Sequence, residues 1–250
     1  MSITIRELCN DTYHFVSKEI KTIVFISILA TFISILINIL IKPDLHIISI
    51  IENKNFENSH SIFDLIHNMN LYEKKELLKY SIFKMLEFLI NKTFLLGSII
   101  TFIKYLSNGK KESFVSSIYY LIKFLPSLFI LNFITIIAIQ IGFMFFILPG
   151  IFLSILLSLS PIILSFKNNN LIDSIRLSFS VSYKNLNIIG TSILFWICIK
   201  FIFTTILSNN YLIGKNFIFL ILNINMNIFF SILIIYLFRF YMLSIRSEKN

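Results

Sequence analysis

Two cysteines, six glycines, four prolines and one tryptophan are spread through 250 residues, and each shortage closes off a class of protein. Cys9 lies near the N-terminus and Cys198 inside an apolar stretch, so there is neither a disulfide framework nor a CxxC redox or metal motif. Both are expected to pack as ordinary small residues. The glycines, at 97, 109, 142, 150, 190 and 214, build no phosphate-binding loop and no dinucleotide fingerprint. A nucleophile elbow and an HExxH helix are also missing. His14, His46, His60 and His67 lack metal-ligand spacing, and the nearest pair has no cysteine beside it. No catalytic residue, metal site or cofactor is therefore expected, and the sequence disfavours an enzyme.

Charge is scarce as well. Asp, Glu, Lys and Arg together make 14% of the chain, and residues 124–166 contain none of them. What fills the space is apolar: 56% hydrophobic residues and a mean hydropathy of +0.83. That is more apolar surface than one soluble core can hide, so the missing solvent is lipid. A helix needs about 20 apolar residues to cross about 30 Å of hydrocarbon, and several stretches reach that length. Their polarity does not alternate, which excludes the short strands of a β-barrel. A formal net charge of +9 would suggest nucleic acid in a soluble protein. Here the basic residues gather at the ends of apolar runs, where they face lipid headgroups, and no nucleic-acid partner is expected.

The predicted fold is all-α: a single membrane domain over residues 1–250, a polytopic bundle of six spans with amphipathic helices at the interface. The spans are placed at residues 23–41, 82–105, 125–148, 150–166, 188–208 and 217–238, with an external loop at 42–81. Some twenty mixed-charge residues precede the first apolar run, so it is expected to be retained and not cleaved as a signal. Thr4 and Glu7 have capping-box spacing and open a short surface helix over residues 4–19, with Ile5, Leu8, Thr12 and Phe15 as its apolar stripe. In the loop, Ile62, Leu65, Ile66 and Met69 share a helical face, and Asn70 with Glu73 predicts an N-cap.

The second span carries Lys84, Glu87, Asn91 and Lys92 in its outer half. Pairing of Lys84 with Glu87, and of Glu87 with Asn91, would lower the cost, and Lys104 is expected to snorkel at the other end. Phe114, Ile118, Leu121 and Leu125 form a lead-in face before Pro126, and Pro149-Gly150 is expected to break the next run. The uncharged stretch 124–166 then reads as a tight hairpin, with a single bent span as the alternative. Residues 167–184 are the cleanest amphipathic segment, with Ile172, Ile175, Phe179, Tyr183 and Leu186 on one face and Asp173, Arg176, Ser180 and Lys184 on another. It is expected to float at the membrane interface.

Placing both termini in the cytoplasm puts most lysines and arginines on that side and leaves Lys215 in the short outer turns. The same unit then recurs three times, from Thr4, Ser113 and Leu171: a surface segment, an outward span and a return span. All three copies start on one side, as parallel repeats do.

Several stretches carry a resemblance to a known family: Met1-Ser2-Ile3-Thr4, Phe63-Asp64-Leu65, Gln140-Ile141-Gly142, Leu148-Pro149-Gly150-Ile151, Trp196 with Lys200, and Ile235-Tyr236-Leu237-Phe238-Arg239. Over nearly its whole length the chain resembles the YciC family of uncharacterised bacterial inner-membrane proteins. The resemblance implies a six-span inner-membrane protein without an assigned activity. Residues 149–185 also resemble the membrane region attached to some glycerophosphodiesterases, whose catalytic domain this chain lacks.

The residues that stand out are polar ones inside spans. Lys200 sits near the middle of the fifth span, where a charge costs about 2.5–3.5 kcal/mol. With Gln140, Asn223 and Asn227 it could form an intramembrane polar track; the plainer alternative is that Lys200 snorkels outward or makes one packing bond, and that the asparagines bond between helices. The leading functional expectation is a non-enzymatic structural or accessory protein of the bacterial inner membrane, with lipids, other membrane proteins or further copies of itself as partners. The alternative is a transporter or channel for a small solute.

Overall fold

The computed structural model describes residues 4–40, 69–107, 114–166, 170–208 and 215–249. Among these the chain is helical, with no strand, and six helices are long and apolar enough to cross a membrane. The protein is a helical membrane protein of six spans. The chain divides into two compact units: Met1–Thr31 with Lys92–Asn250, and Phe32–Asn91.

Helix α1 (Ile5–Leu40) joins the predicted surface helix and the first span in one element, marked by non-helical angles at Glu19 (φ −109°, ψ 17°). At its start the Thr4 hydroxyl donates to the Glu7 carboxylate (2.7 Å). Leu8 and Thr12 of the predicted stripe are buried and Phe15 is half-buried, whereas Ile5 is exposed. This first segment is therefore tied into the protein core and does not simply rest on lipid. Helix α2 (Leu71–Ser107) is opened as its sequence predicts: the Asn70 N–H donates to the Glu73 carboxylate (2.8 Å) and the Lys74 N–H to the Asn70 carbonyl (3.0 Å). Ile62, Leu65 and Ile66 lie outside the described residues.

Helix α3 (Phe114–Phe145) runs through Pro126 without interruption, so the lead-in face and the third span are one element. The chain turns at Phe146, which is extended (φ −161°, ψ 160°), and α4 (Ile147–Leu157) begins there. Pro149-Gly150 is thus the first turn of α4 and not the break, because a proline near a helix start gives up an N–H that had no partner anyway. The hairpin forms: a Cβ on Gly142 would lie 2.8 Å from Leu153 and 3.1 Å from the Gly150 Cα, so only glycine allows this approach. Helix α5 (Ser160–Leu164) continues the fourth span after a kink. Pro161 cannot donate to the Leu157 carbonyl, and the Ser160 hydroxyl does so instead (2.6 Å).

Helix α6 (Leu171–Lys184) corrects the expectation of a floating amphipathic segment. Ser174, Ser178 and Ser182 are each fully buried, and the helix packs by this stripe on α4 and α5. The Ser178 hydroxyl donates to the Leu156 carbonyl (2.6 Å). Small side chains at i, i+4 and i+8 let two backbones approach closely where apolar packing gives no preference over lipid. Ile172, Phe179 and Tyr183 stay exposed. Asn185 breaks the chain (φ −124°, ψ 36°), and α7 (Leu186–Ser208) and α8 (Lys215–Lys249) form the last pair, packed together.

The core of the larger unit gathers Leu95, Ile99 and Ile100 of α2, Leu159 just before α5, Ile162 and Ile163 of α5, and Ile235 and Phe240 of α8, all under 2% exposed. Phe166 stacks on Phe238 (5.7 Å) and meets Tyr241 edge-on (5.2 Å).

Candidate functional site

Lys200 is exposed on α7, and its ammonium lies 5.6 Å from the centre of the Trp196 ring. Trp196 is one turn nearer the start of α7, which is where helical side chains lean, so Lys200 reaches back along the span and not toward the nearer end at Ser208. The Trp196 ring in turn meets Phe230 of α8 (5.6 Å), and the Lys92 ammonium of α2 sits 5.8 Å from the Phe230 ring. Among the described residues neither lysine has an ion-pair or hydrogen-bond partner. The Trp196 indole N–H is also buried without an acceptor. Two ammonium groups thus lie over the two faces of one aromatic pair, a cation-rich place within the spans.

The other residues singled out in the sequence fall elsewhere. Asn227 is buried on α8 and bonds to α1, donating to the Thr31 hydroxyl (3.0 Å) and toward the Ser27 carbonyl (3.5 Å). Asn223 is half-buried one turn earlier on the same helix, and Gln140 is exposed near the end of α3. Cys9 and Cys198 are exposed and unpaired, contrary to their expected packing.

In the smaller unit, Lys84 pairs with Glu87 (2.9 Å) as its spacing predicts. The further partner is not Asn91, whose side-chain oxygen is buried and unbonded, but Asn38 of α1. Asn38 donates to Glu87 (2.8 Å) and accepts from Lys84, which closes a three-residue ring. Lys104 turns inward too: its ammonium donates to the Ser165 carbonyl beyond α5 and lies 5.0 Å from the Phe166 ring. It satisfies a helix-end carbonyl where the sequence predicts a snorkel.

A cavity of about 630 Å³ opens at the end of the larger unit where α1 begins and α8 ends. Phe15, Ile103, Phe238 and Met242 form its apolar part, and Asp11, His14, Lys18, Glu19 and Arg239 its polar part. Arg239 pairs with Asp11 (3.6 Å) and stands 5.0 Å from the Phe15 ring, while its Nε is buried with no acceptor.

The family described as "Uncharacterised protein family (UPF0259)" matches residues 1–243. The chain belongs to this family. A UPF0259 membrane protein of Buchnera aphidicola subsp. Schizaphis graminum (strain Sg) is 78% identical over 247 residues, covering 99% of this chain and 100% of the relative. Family members from Buchnera aphidicola subsp. Baizongia pistaciae (strain Bp) and Yersinia pestis (strain Pestoides F) are 36% identical over 252 residues and 30% identical over 247 residues. The former match covers 100% of both chains, the latter 97% of this chain and 96% of the relative. No solved structure matches. The family names say membrane protein and assign no activity, which agrees with the resemblance noted in the sequence.

For this family member, sequence reasoning marks Lys200 but not its neighbours. Lys92 reads as a cost of the second span; its surroundings come from helices distant in sequence. The legible signal was a lysine in an apolar run with no acid at helical spacing.

Proposed function

We propose that this protein is a non-enzymatic, multi-pass protein of the bacterial inner membrane, with both termini cytoplasmic, that binds a small anionic solute at mid-depth and carries it across. The observation that supports this reading is the placement of Lys92 over Phe230 and of Lys200 over Trp196, two rings in contact, with no carboxylate partner among the described residues. Lys92 is half-buried and Lys200 exposed; a cation placed within a span without a carboxylate is a candidate contact for a passing anion. The one acid inside the predicted spans is Glu87, already engaged by Lys84 and Asn38. This favours transport over the structural or accessory role that the sequence puts first.

The test is flux in vesicles reconstituted with the full chain, using chloride, phosphate and small carboxylates against sodium and potassium. Anion flux above that of empty vesicles is expected. It should fall by at least about tenfold in Lys200→Met and in Lys92→Met, since each removes one charge-assisted contact. Lys200→Arg should retain it. Absence of flux for every anion would overturn the proposal, as would full flux in Lys200→Met. A crosslink from position 201 to the acidic transmembrane helix of another protein would overturn it in favour of the accessory role.

A further inference from the structure

From the cavity at the α1–α8 end we infer a second site, one that binds a phosphoethanolamine group: a phosphoryl group and a primary ammonium on the same ligand. Its depth points to the membrane–water boundary. Lys18 and Glu19 immediately precede the first apolar run, and Arg239 immediately follows the last. Apolar side chains from α1, α2 and α8 line one part of the cavity, and charged ones line the other. At about 630 Å³ it is within the size range of small-ligand pockets.

The unmet valences define the occupant. Arg239 spends one terminal nitrogen on Asp11 (3.6 Å), and its side chain, 35% exposed, lines the cavity. A guanidinium held over the Phe15 ring at 5.0 Å is fixed in place, and its exposed terminal N–H groups can meet the oxygens of a ligand. Phosphoryl oxygens suit that geometry and can be shared with Lys18. A simple anion does not complete the match, because Glu19 also lines the cavity, and among the described residues it has no ion-pair partner. Its carboxylate accepts hydrogen bonds from a primary ammonium, which a trimethylated ammonium cannot donate. An acid without an ion pair among the described residues, and a guanidinium with terminal N–H groups to spare beyond Asp11, therefore select a zwitterion that carries N–H donors. Such a group arrives either on a membrane phospholipid, with its acyl chains along the apolar part, or as a water-soluble glycerophospho compound.

The experiment is native mass spectrometry of the full chain in detergent, supplied with phosphatidylethanolamine, phosphatidylcholine and phosphatidylglycerol of the same acyl chains. Phosphatidylethanolamine should be retained at least about tenfold better than phosphatidylcholine, the scale of one charge-assisted hydrogen bond. Arg239→Lys keeps the cation but loses the planar fork of terminal N–H groups, and should weaken retention by a similar factor with unchanged helicity. Glu19→Gln should abolish the preference over phosphatidylcholine while leaving phosphatidylglycerol retention as it was. Soluble glycerophosphoethanolamine that displaces the lipid at equal concentration would assign the site to the soluble compound; failure to displace it would assign the site to the lipid. Equal retention of the ethanolamine and choline lipids would overturn the inference, as would an unaltered preference in Glu19→Gln. Lys200→Met should leave lipid retention unchanged, so this result and the flux result stand or fall separately.

Discussion

A single polar ring shows how much one residue can change the cost of a charged span. Lys84 and Glu87 are half-buried and buried in part, with side chains 39% and 12% exposed, and Asn38 bonds to both. Removing one ion leaves its partner in an apolar setting with nothing to meet it, whereas removing both leaves a plain apolar surface. Lys84→Met and Glu87→Gln should each lower thermal stability in detergent more than half as much as the double variant would suggest by addition, with a coupling of about 1–3 kcal/mol in a double-mutant cycle. Additive losses would show that the ring contributes nothing. The Lys84–Glu87 half was legible because i,i+3 neighbours on a helix always face each other. Asn38 was not, since nothing in its own stretch says which helix it will meet.

At the scale of elements, the serine stripe of α6 decides how that helix is used. The hydrophobic pattern, with Ile172, Phe179 and Tyr183 on one face, predicts a helix floating at the membrane interface and says nothing of what its small residues pack on. In a membrane, apolar side chains gain nothing by facing protein instead of lipid, so the small residues face inward and the large ones outward. Ser178→Ile inserts bulk where the Ser178 hydroxyl touches the Leu156 carbonyl, and should destabilise by about 1–3 kcal/mol in thermal unfolding. Ile172→Ser, at a site 79% exposed, should change stability by less than about 0.5 kcal/mol. Equal effects would mean that the helix docks by its apolar face after all. The hairpin of α3 and α4 was legible as a hairpin because its uncharged length is enough for two crossings. The position of its turn was not: proline tolerates a first helical turn as readily as a break, and the contact of Gly142 with Gly150 is visible only once the two helices lie together.

For the whole molecule, orientation follows from where the basic residues gather, and a test in cells is direct. Reporters fused after Glu248 should be active only on the cytoplasmic side, and a reporter in the 42–81 loop only outside. The reverse pattern would invert the topology and place the α1–α8 cavity on the outer face. Class and span number are properties of one dimension: the length of an apolar run against the thickness of hydrocarbon, with charge at its ends. The sequence by itself therefore determined a helical membrane protein of six spans, an N-cap at Asn70 and a lysine without an acid in the fifth span. Only the tertiary structure decided that Lys92 and Lys200 each lie over one ring of the Trp196–Phe230 pair, that α6 docks by its serines, and that Arg239 lines a cavity with Glu19. The reason is that helices sort their faces by steric fit and by which polar groups remain unanswered, and both quantities exist only between segments far apart in the chain.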